Sequence, residues 1–400
     1  MLPFPQPRRL WERTFYEVID LKRIILKVLS YLLVAAIACG ATLFFTRKPE
    51  HYSKLEELRD LLLERYVNGA DATELEDAAA HAMVDALGDT WSYYIPADEY
   101  AAYQEQKKNA YVGIGVTIQD TEAGYLIQQV AEEGSAQEAG LLAGDLIIAV
   151  DGQSVVGVPI DEGKTLVQGK AGTRVSITVS REEKELNFSL ERLTIRTKVA
   201  VATMLEGQIG LVTIKNFNTN CYKETKEAVE SLLDQGATAL IFDVRFNGGG
   251  YSSELVKVLD MLLPEGDLFR TVNYEGKEDV DRSDKDCVEL PMAVLVNGSS
   301  YSAAEFFAAA LWEYEWATIV GEPTSGKGHY QVVYQLSDGS AVGVSIGKYF
   351  TPKGVCLEGN GLTPDVVVKV DDQTAAAIYA GTLDPMEDPQ VLAAIEALSK

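Results

Sequence analysis

Residues 239–250 read ALIFDVRFNGGG. The apolar run from Ala239 to Phe242, continued at Val244, has the composition of a strand buried on both faces. The three glycines behind it permit a turn that most side chains forbid. Before this stretch lie IGLVTIKNF (209–217) and a helical period over 222–235; after it come a helix following Tyr251, then MAVLVN (292–297), a helix over 303–316 and ATIVG (317–321). Buried strands alternating with helices predict an α/β core, a mixed sheet with helices on both faces. In such sheets functional groups collect where strands run into loops.

Upstream the pattern changes. The strands VGIGVTIQ (112–119), GYLIQQV (124–130), DLIIAVDG (145–152), RVSITVS (174–180) and LNFSLERL (186–193), broken by glycines, predict a compact β-rich module. Residues 50–108 are helical in pattern. Leu55, Leu58, Leu61, Leu62 and Leu63 give one apolar face, and Ala78, Ala79, Ala80, Ala82 and Met83 give another before the break at Gly88-Asp89.

The 400 residues are 47% hydrophobic and 24% charged, enough for two or three packed domains. Near the N-terminus, VLSYLLVAAIACGATLFF (28–45) runs eighteen residues without a charge, long enough to cross a bilayer core. Arg8, Arg9, Arg13, Lys22, Arg23 and Lys27 precede it and only Arg47 and Lys48 follow closely, a bias that keeps the N-terminus cytoplasmic. The run exceeds a usual signal-peptide core and lacks a small-x-small exit. One uncleaved transmembrane anchor over 28–46 is therefore expected, with a cytoplasmic tail over 1–27 and everything later extracytoplasmic.

The net charge is −25. Residues 1–48 hold 8 basic and 3 acidic side chains, leaving 27 basic and 57 acidic in the rest, a net charge of −30. That balance excludes a nucleic acid held by phosphate contacts. Only His51, His81 and His329 are available for histidine chemistry. Cys39 falls in the apolar run, and Cys221, Cys287 and Cys356 form no CxxC pair, so neither a zinc site nor a disulfide framework is readable. No metal and no cofactor are expected.

Two strand ends carry chemistry. At Asp243–Gly250 the glycine turn is either a plain tight turn or a cradle whose amides hold an oxyanion. At Asn297-Gly-Ser-Ser-Tyr-Ser302-Ala-Ala-Glu305 a strand passes through small residues straight into a helix. A serine there is either a helix N-cap or a nucleophile whose transition-state anion the helix end stabilises. A nucleophilic serine needs a base, and the nearest downstream candidates lie in GEPTSGKG (321–328). This segment matches seven of the eight positions of a nucleotide-binding P-loop. The eighth is Gly328 instead of a hydroxyl residue, and HYQVVYQL then alternates like a strand, not a helix. Lys327 is either a solvated surface lysine or an amine whose pKa is lowered by desolvation, so that it serves as a neutral base.

The chain from about Asp89 to Val368 resembles the carboxyl-terminal processing peptidases, serine proteases with a PDZ domain inserted before the catalytic core. DTWSYYIPADEY (89–100), YVGIGVTI (111–118), DVRFNGGG (243–250), NGSSYSAAE (297–305), GEPTSGKGHYQ (321–331) and YFTPKGVCLEGNGLTPDVVV (349–368) carry the resemblance, with the serine and lysine 25 residues apart as in that family. It implies that Ser302 is the nucleophile, Lys327 the general base and Gln331 the residue that orients the amine. The N–H groups of Gly249 and Ala303 would form the oxyanion hole. A lysine base needs no histidine, so His329 receives no role. Tyr301, Ala304, Phe246 and Ser325 depart from the family's usual residues, which bears on substrate preference and leaves the catalytic groups in place.

The resemblance further implies a PDZ domain over 109–194, followed by the peptidase core over 195–400 with its C-terminal helix. Tyr111, Val112, Gly113, Ile114 and Gly115 would hold a peptide's C-terminal carboxylate, and the strand after them would accept the peptide as an added strand. SAQEAGLLAGDLIIAVDGQSV (135–155) fits the same kind of domain. The expected protein is thus a bacterial, single-pass membrane endopeptidase that cuts extracytoplasmic proteins near free C-termini, gated by its PDZ domain. The helical stretch 50–108 and the C-terminal DPQVLAAIEAL helix are candidate homodimer contacts. The alternative is an inactive membrane-bound PDZ scaffold.

Overall fold

The computed structural model describes residues 27–37, 53–131 and 133–399. They fall into two compact units, 1–80 and 81–400. In the first unit 27–37 is helical, and a second helix spans Lys54–Arg65. Ser53 caps that helix reciprocally: its hydroxyl accepts from the Glu56 N–H at 3.2 Å, while the Glu56 carboxylate accepts from the Ser53 N–H at 2.9 Å. Leu55, Leu58, Leu61 and Leu63 on it are exposed. No helix among the described residues is long and apolar enough to cross a membrane. The span expected over 28–46 continues past residue 37 outside the described residues, as does most of the tail before it.

The second unit is built on a six-stranded sheet whose spatial order is Ala200–Leu205, Ile209–Ile214, Ala239–Asp243, Met292–Val296, Ala317–Gly321, Val366–Val367. The first pair is antiparallel and all later neighbours are parallel. Because side chains alternate along a strand, each central strand feeds two cores. Leu240, Phe242, Val294 and Val296 pack with the helices Cys221–Asp234, Ser252–Leu262 and Ala303–Glu313. Ala239, Ile241, Ala293 and Leu295 pack on the opposite face against Val391 and Ala394 of the helix Pro389–Leu398. Helices therefore cover both faces, as the unbroken apolar runs require. The buried side of the C-terminal helix, a candidate dimer contact by sequence, is taken up by the chain's own sheet.

A second sheet of five strands packs against the helix Ala303–Glu313, where Phe269 and Tyr349 lie edge-on to Phe306 at 5.4 and 5.5 Å. One of its strands, Tyr93–Ile95, pairs antiparallel with Ala341–Gly343. This strand falls inside the stretch expected to be helical over 50–108. Three residues are too few to show a period, and what makes Tyr-Tyr-Ile extended is a partner strand almost 250 positions downstream. The helix Ala97–Lys107 follows immediately after Pro96.

The β-rich module forms a six-stranded sheet around its own core of Tyr125, Ile127, Ile147, Ile177 and Val179. A two-stranded ribbon, Ala110–Gly113 with Leu193–Arg196, joins it to the α/β core. The guanidinium of buried Arg192 donates to the carbonyls of Leu166 and Val167, closing the last turn of the helix Ile160–Val167.

The end of the central strand is tied to the C-terminal helix by a buried ion cluster. Arg245 Nε donates to Asp243 at 2.9 Å, and its Nη1 donates to Asp388 at 2.7 Å and to Gln390 at 2.8 Å. All four residues are buried. Removing the arginine strands two carboxylates in a water-poor setting. Arg245→Leu is expected to lose about 3–5 kcal/mol of unfolding free energy in urea titrations; a loss below about 1 kcal/mol, the usual worth of an exposed pair, would refute this role.

Candidate active site

The chain leaves the strand Met292–Val296, turns through Asn297–Tyr301 and enters the helix Ala303–Glu313 at Ser302. Ser302 has φ +57° and ψ −126°, a backbone conformation that side chains rarely adopt and that persists only where the surroundings enforce it. Here the Tyr301 N–H donates to the Asn247 carbonyl at 3.1 Å, the Ser325 N–H donates to the Ser300 carbonyl at 3.2 Å, and the Ser302 N–H donates to the Glu305 carboxylate at 2.9 Å. The N–H of Ala303, in the first helical turn, has no acceptor among the described residues.

The glycine turn closes directly on this serine. A Cβ on Gly249, whose φ is +81°, would lie 2.8 Å from the Ser302 Cβ, so only glycine allows the approach. Asn247, fully buried, builds the turn: its Nδ2 donates to the Ile214 carbonyl and its Oδ1 accepts the Gly249 N–H, both at 2.8 Å. The Gly249 amide, expected by sequence to face an oxyanion, is therefore committed to Asn247. A side-chain acceptor two residues earlier competes for that proton, which spacing alone does not reveal.

The loop that bears Lys327 follows the strand Ala317–Gly321. Lys327 is half-buried, with Nζ 4.8 Å from the ring centre of Trp91 and 5.7 Å from that of Tyr301. Burial pushes its pKa down to about 8; repulsion from Lys107 adds to this, and Asp89, Glu358 and Glu305 oppose it. Gln331 donates through Nε2 to Ser345 Oγ at 2.9 Å and to the His329 carbonyl at 3.2 Å, and makes no hydrogen bond to the lysine amine. His329 Nδ1 lies 2.8 Å from Glu358 Oε2.

Glu305 joins the two loops. It is fully buried and its carboxylate accepts four hydrogen bonds: from the N–H groups of Ser302 (2.9 Å), Gly326 (2.7 Å) and Lys327 (2.8 Å) and from the Thr324 hydroxyl (2.5 Å). Thr324 in turn accepts from the Leu362 N–H at 2.7 Å. Sequence reasoning passed over Glu305, although the signal was present: Ser302-Ala-Ala-Glu305 has the S-x-x-E spacing of a capping box. Trp91 falls in DTWSYYIPADEY but received no role there, and nothing local to that segment ties its ring to the lysine.

The departures from the family pattern have plain surroundings. Tyr301 stacks on Trp91 at 6.1 Å, Phe246 meets Tyr379 edge-on at 5.4 Å, Ser325 donates to the Gly298 carbonyl at 2.6 Å, and Ala304 is fully buried. In the β-rich module, Tyr111, Val112 and Gly113 lie in the connecting ribbon and Ile114 is buried. Gly115 has φ +84°, and a Cβ there would meet the Gly134 backbone at 2.6 Å. Val116–Thr121 follows as an edge strand of the module's sheet.

Comparison with known proteins agrees with this layout. Residues 208–368 match peptidase family S41 and residues 112–191 match the PDZ domain. The carboxy-terminal processing protease CtpA of Bacillus subtilis is 30% identical over 356 residues, an alignment covering 85% of this chain and 76% of that protein. The chain belongs to peptidase family S41. It is a serine-type carboxy-terminal processing peptidase with a PDZ domain. A CtpA-like serine protease of Staphylococcus epidermidis is 31% identical over 319 residues, 79% of this chain and 65% of that one. The crystal structure of an S41 protease from Bacteroides fragilis, 14% identical, matches with a TM-score of 0.55 over 88% of this chain and 99% of that one, which speaks for the fold alone.

In this S41 peptidase, Glu305→Gln would set an NH2 group against N–H donors. Expected are a loss of about 2–4 kcal/mol of stability and at least about a tenfold fall in peptide hydrolysis. Wild-type values for both, from denaturation and cleavage assays, would show that the carboxylate does not hold the site.

Proposed function

We propose that Ser302 and Lys327 form the catalytic dyad of this peptidase. The observation that carries the reading is the shared carboxylate oxygen: Glu305 Oε2 receives the backbone N–H of both residues, so one buried group sets nucleophile and base on a common support. The neutral amine of Lys327 takes the Ser302 hydroxyl proton as Oγ attacks the scissile carbonyl carbon. The resulting oxyanion turns to the Ala303 N–H at the helix start, beside the glycine turn. The ammonium returns its proton to the departing amine, leaving an acyl-enzyme that water cleaves with the lysine again as base. Gln331 is anchored through Nε2, which leaves its Oε1 as the acceptor that orients the amine.

The substrate class follows from the module. A peptide adds to the free edge of Val116–Thr121 with its C-terminal carboxylate toward Tyr111–Gly115, and this occupancy gates cleavage near that C-terminus. The uncharged run over 28–45, with its basic flank, supports a single-pass anchor in a bacterial membrane and an extracytoplasmic catalytic part. The exposed leucines of Lys54–Arg65 support a homodimer contact.

Ser302→Ala and Lys327→Ala are each expected to abolish cleavage of an unfolded protein while leaving circular dichroism unchanged; persistent proteolysis in either sinks the dyad. Since the working base is neutral and its pKa lies at about 8, kcat/KM should climb with pH through about 8 and level off above it. A flat profile between about pH 6 and 9, the range in which tuned bases titrate, would count against Lys327. Amidating the substrate's C-terminus removes a charge-assisted contact and should lower kcat/KM by about ten- to a hundredfold; equal rates would remove the carboxylate-recognition claim.

A further inference from the structure

We propose that Trp91 is a positioning residue for the Lys327 amine, its indole face serving as the seat of the ammonium between proton transfers. The inference rests on the dyad reading above. Four observations place the ring. The Asp89 carboxylate accepts the Trp91 N–H at 3.1 Å and the Ser92 hydroxyl at 2.5 Å, fixing the turn from which the indole projects. The indole N–H donates to Glu358 Oε1 at 3.2 Å, and the same carboxylate accepts the Gly328 N–H at 2.6 Å, next to the lysine. Tyr301, the residue before the nucleophile, stacks on the ring at 6.1 Å with 27° between the planes. The Lys327 Nζ lies 4.8 Å from the ring centre. The aromatic face is thus a favourable partner of this ammonium, beside the attraction of Asp89, Glu358 and Glu305.

An aromatic face attracts a cation through its quadrupole and is indifferent to a neutral amine. Trp91 thus favours the protonated lysine while excluding water, which disfavours it, and the two effects have opposite signs. The charged groups facing the amine come from separate elements: Lys107 at the end of the helix Ala97–Lys107, Asp89 near the tryptophan, Glu305 on the helix Ala303–Glu313 and Glu358 in a turn, paired with His329 at the start of the strand His329–Gln335. All of them remain when only the ring is changed.

The test is a titration of the Lys327 side chain by carbon-13 NMR in the full Ser302→Ala chain, alongside the acid limb of the kcat/KM profile in the chain with Ser302 intact. Trp91→Leu keeps apolar bulk and removes the face. It should move both midpoints down by about half to one and a half pH units, whereas Trp91→Phe should hold them within about half a unit. Replacing the tryptophan by its trifluorinated analogue, which keeps the shape and weakens the face, should also move the midpoint down, and it serves if Trp91→Leu does not fold. A midpoint that rises means that the ring merely excludes water, and an unmoved midpoint means that it does neither; both outcomes overturn the proposal. If Lys327→Ala keeps its activity, the dyad reading has failed, while the NMR midpoint still reports on Trp91.

Discussion

A carboxylate withdrawn from water is tolerated only when its oxygens are supplied with donors. Glu305 is fully buried and receives four, three of them main-chain N–H groups from two separate turns. Satisfying this one charge brings the turn that bears Ser302 and the loop that bears Lys327 to the same place. The unfavourable backbone of Ser302 is held by the same contact, since its N–H donates to that carboxylate. Burial and assembly of the site are therefore a single requirement.

The sheet makes that requirement attainable. The glycine turn, the turn that bears Ser302 and the loop that bears Lys327 leave the carboxyl ends of three neighbouring parallel strands, Ala239–Asp243, Met292–Val296 and Ala317–Gly321. Neighbouring strands lie about 4.8 Å apart, so segments distant in the chain emerge side by side. The second sheet then closes the site from the other side, because pairing of Tyr93–Ile95 with Ala341–Gly343 carries Trp91 to the lysine. Ser92 Oγ accepts the Ser345 N–H at 3.1 Å, and Ser345 holds Gln331, so the same short strand reaches both the amine and its expected orienting residue.

The electrostatic setting is a balance. Burial and Lys107 favour the neutral amine, three carboxylates favour the charged one, and the outcome at about 8 leaves a usable fraction of each form near neutral pH. A chain of net charge −25 with three histidines thus has an amine suited to general-base work without recruiting an imidazole.

The strands and helices of the core, the glycine turn, the serine at a helix start and the lysine after a glycine-rich loop were all legible, because each is a local signal: a period of two, a run of glycines, small residues before a helix. What required the folded chain is long-range. Whether Tyr93–Ile95 is extended depends on its partner strand, and Trp91 reaches Glu358 across 267 residues. The Gly249 amide goes to Asn247, Gln331 goes to Ser345, and the C-terminal helix spends its apolar side on the sheet; each is a competition among partners that meet only after the chain has packed. The sequence by itself determined which chemical groups this peptidase possesses. Tertiary structure decided which of them touch, because a side chain's hydrogen-bond partner is chosen by three-dimensional proximity, which no local pattern encodes.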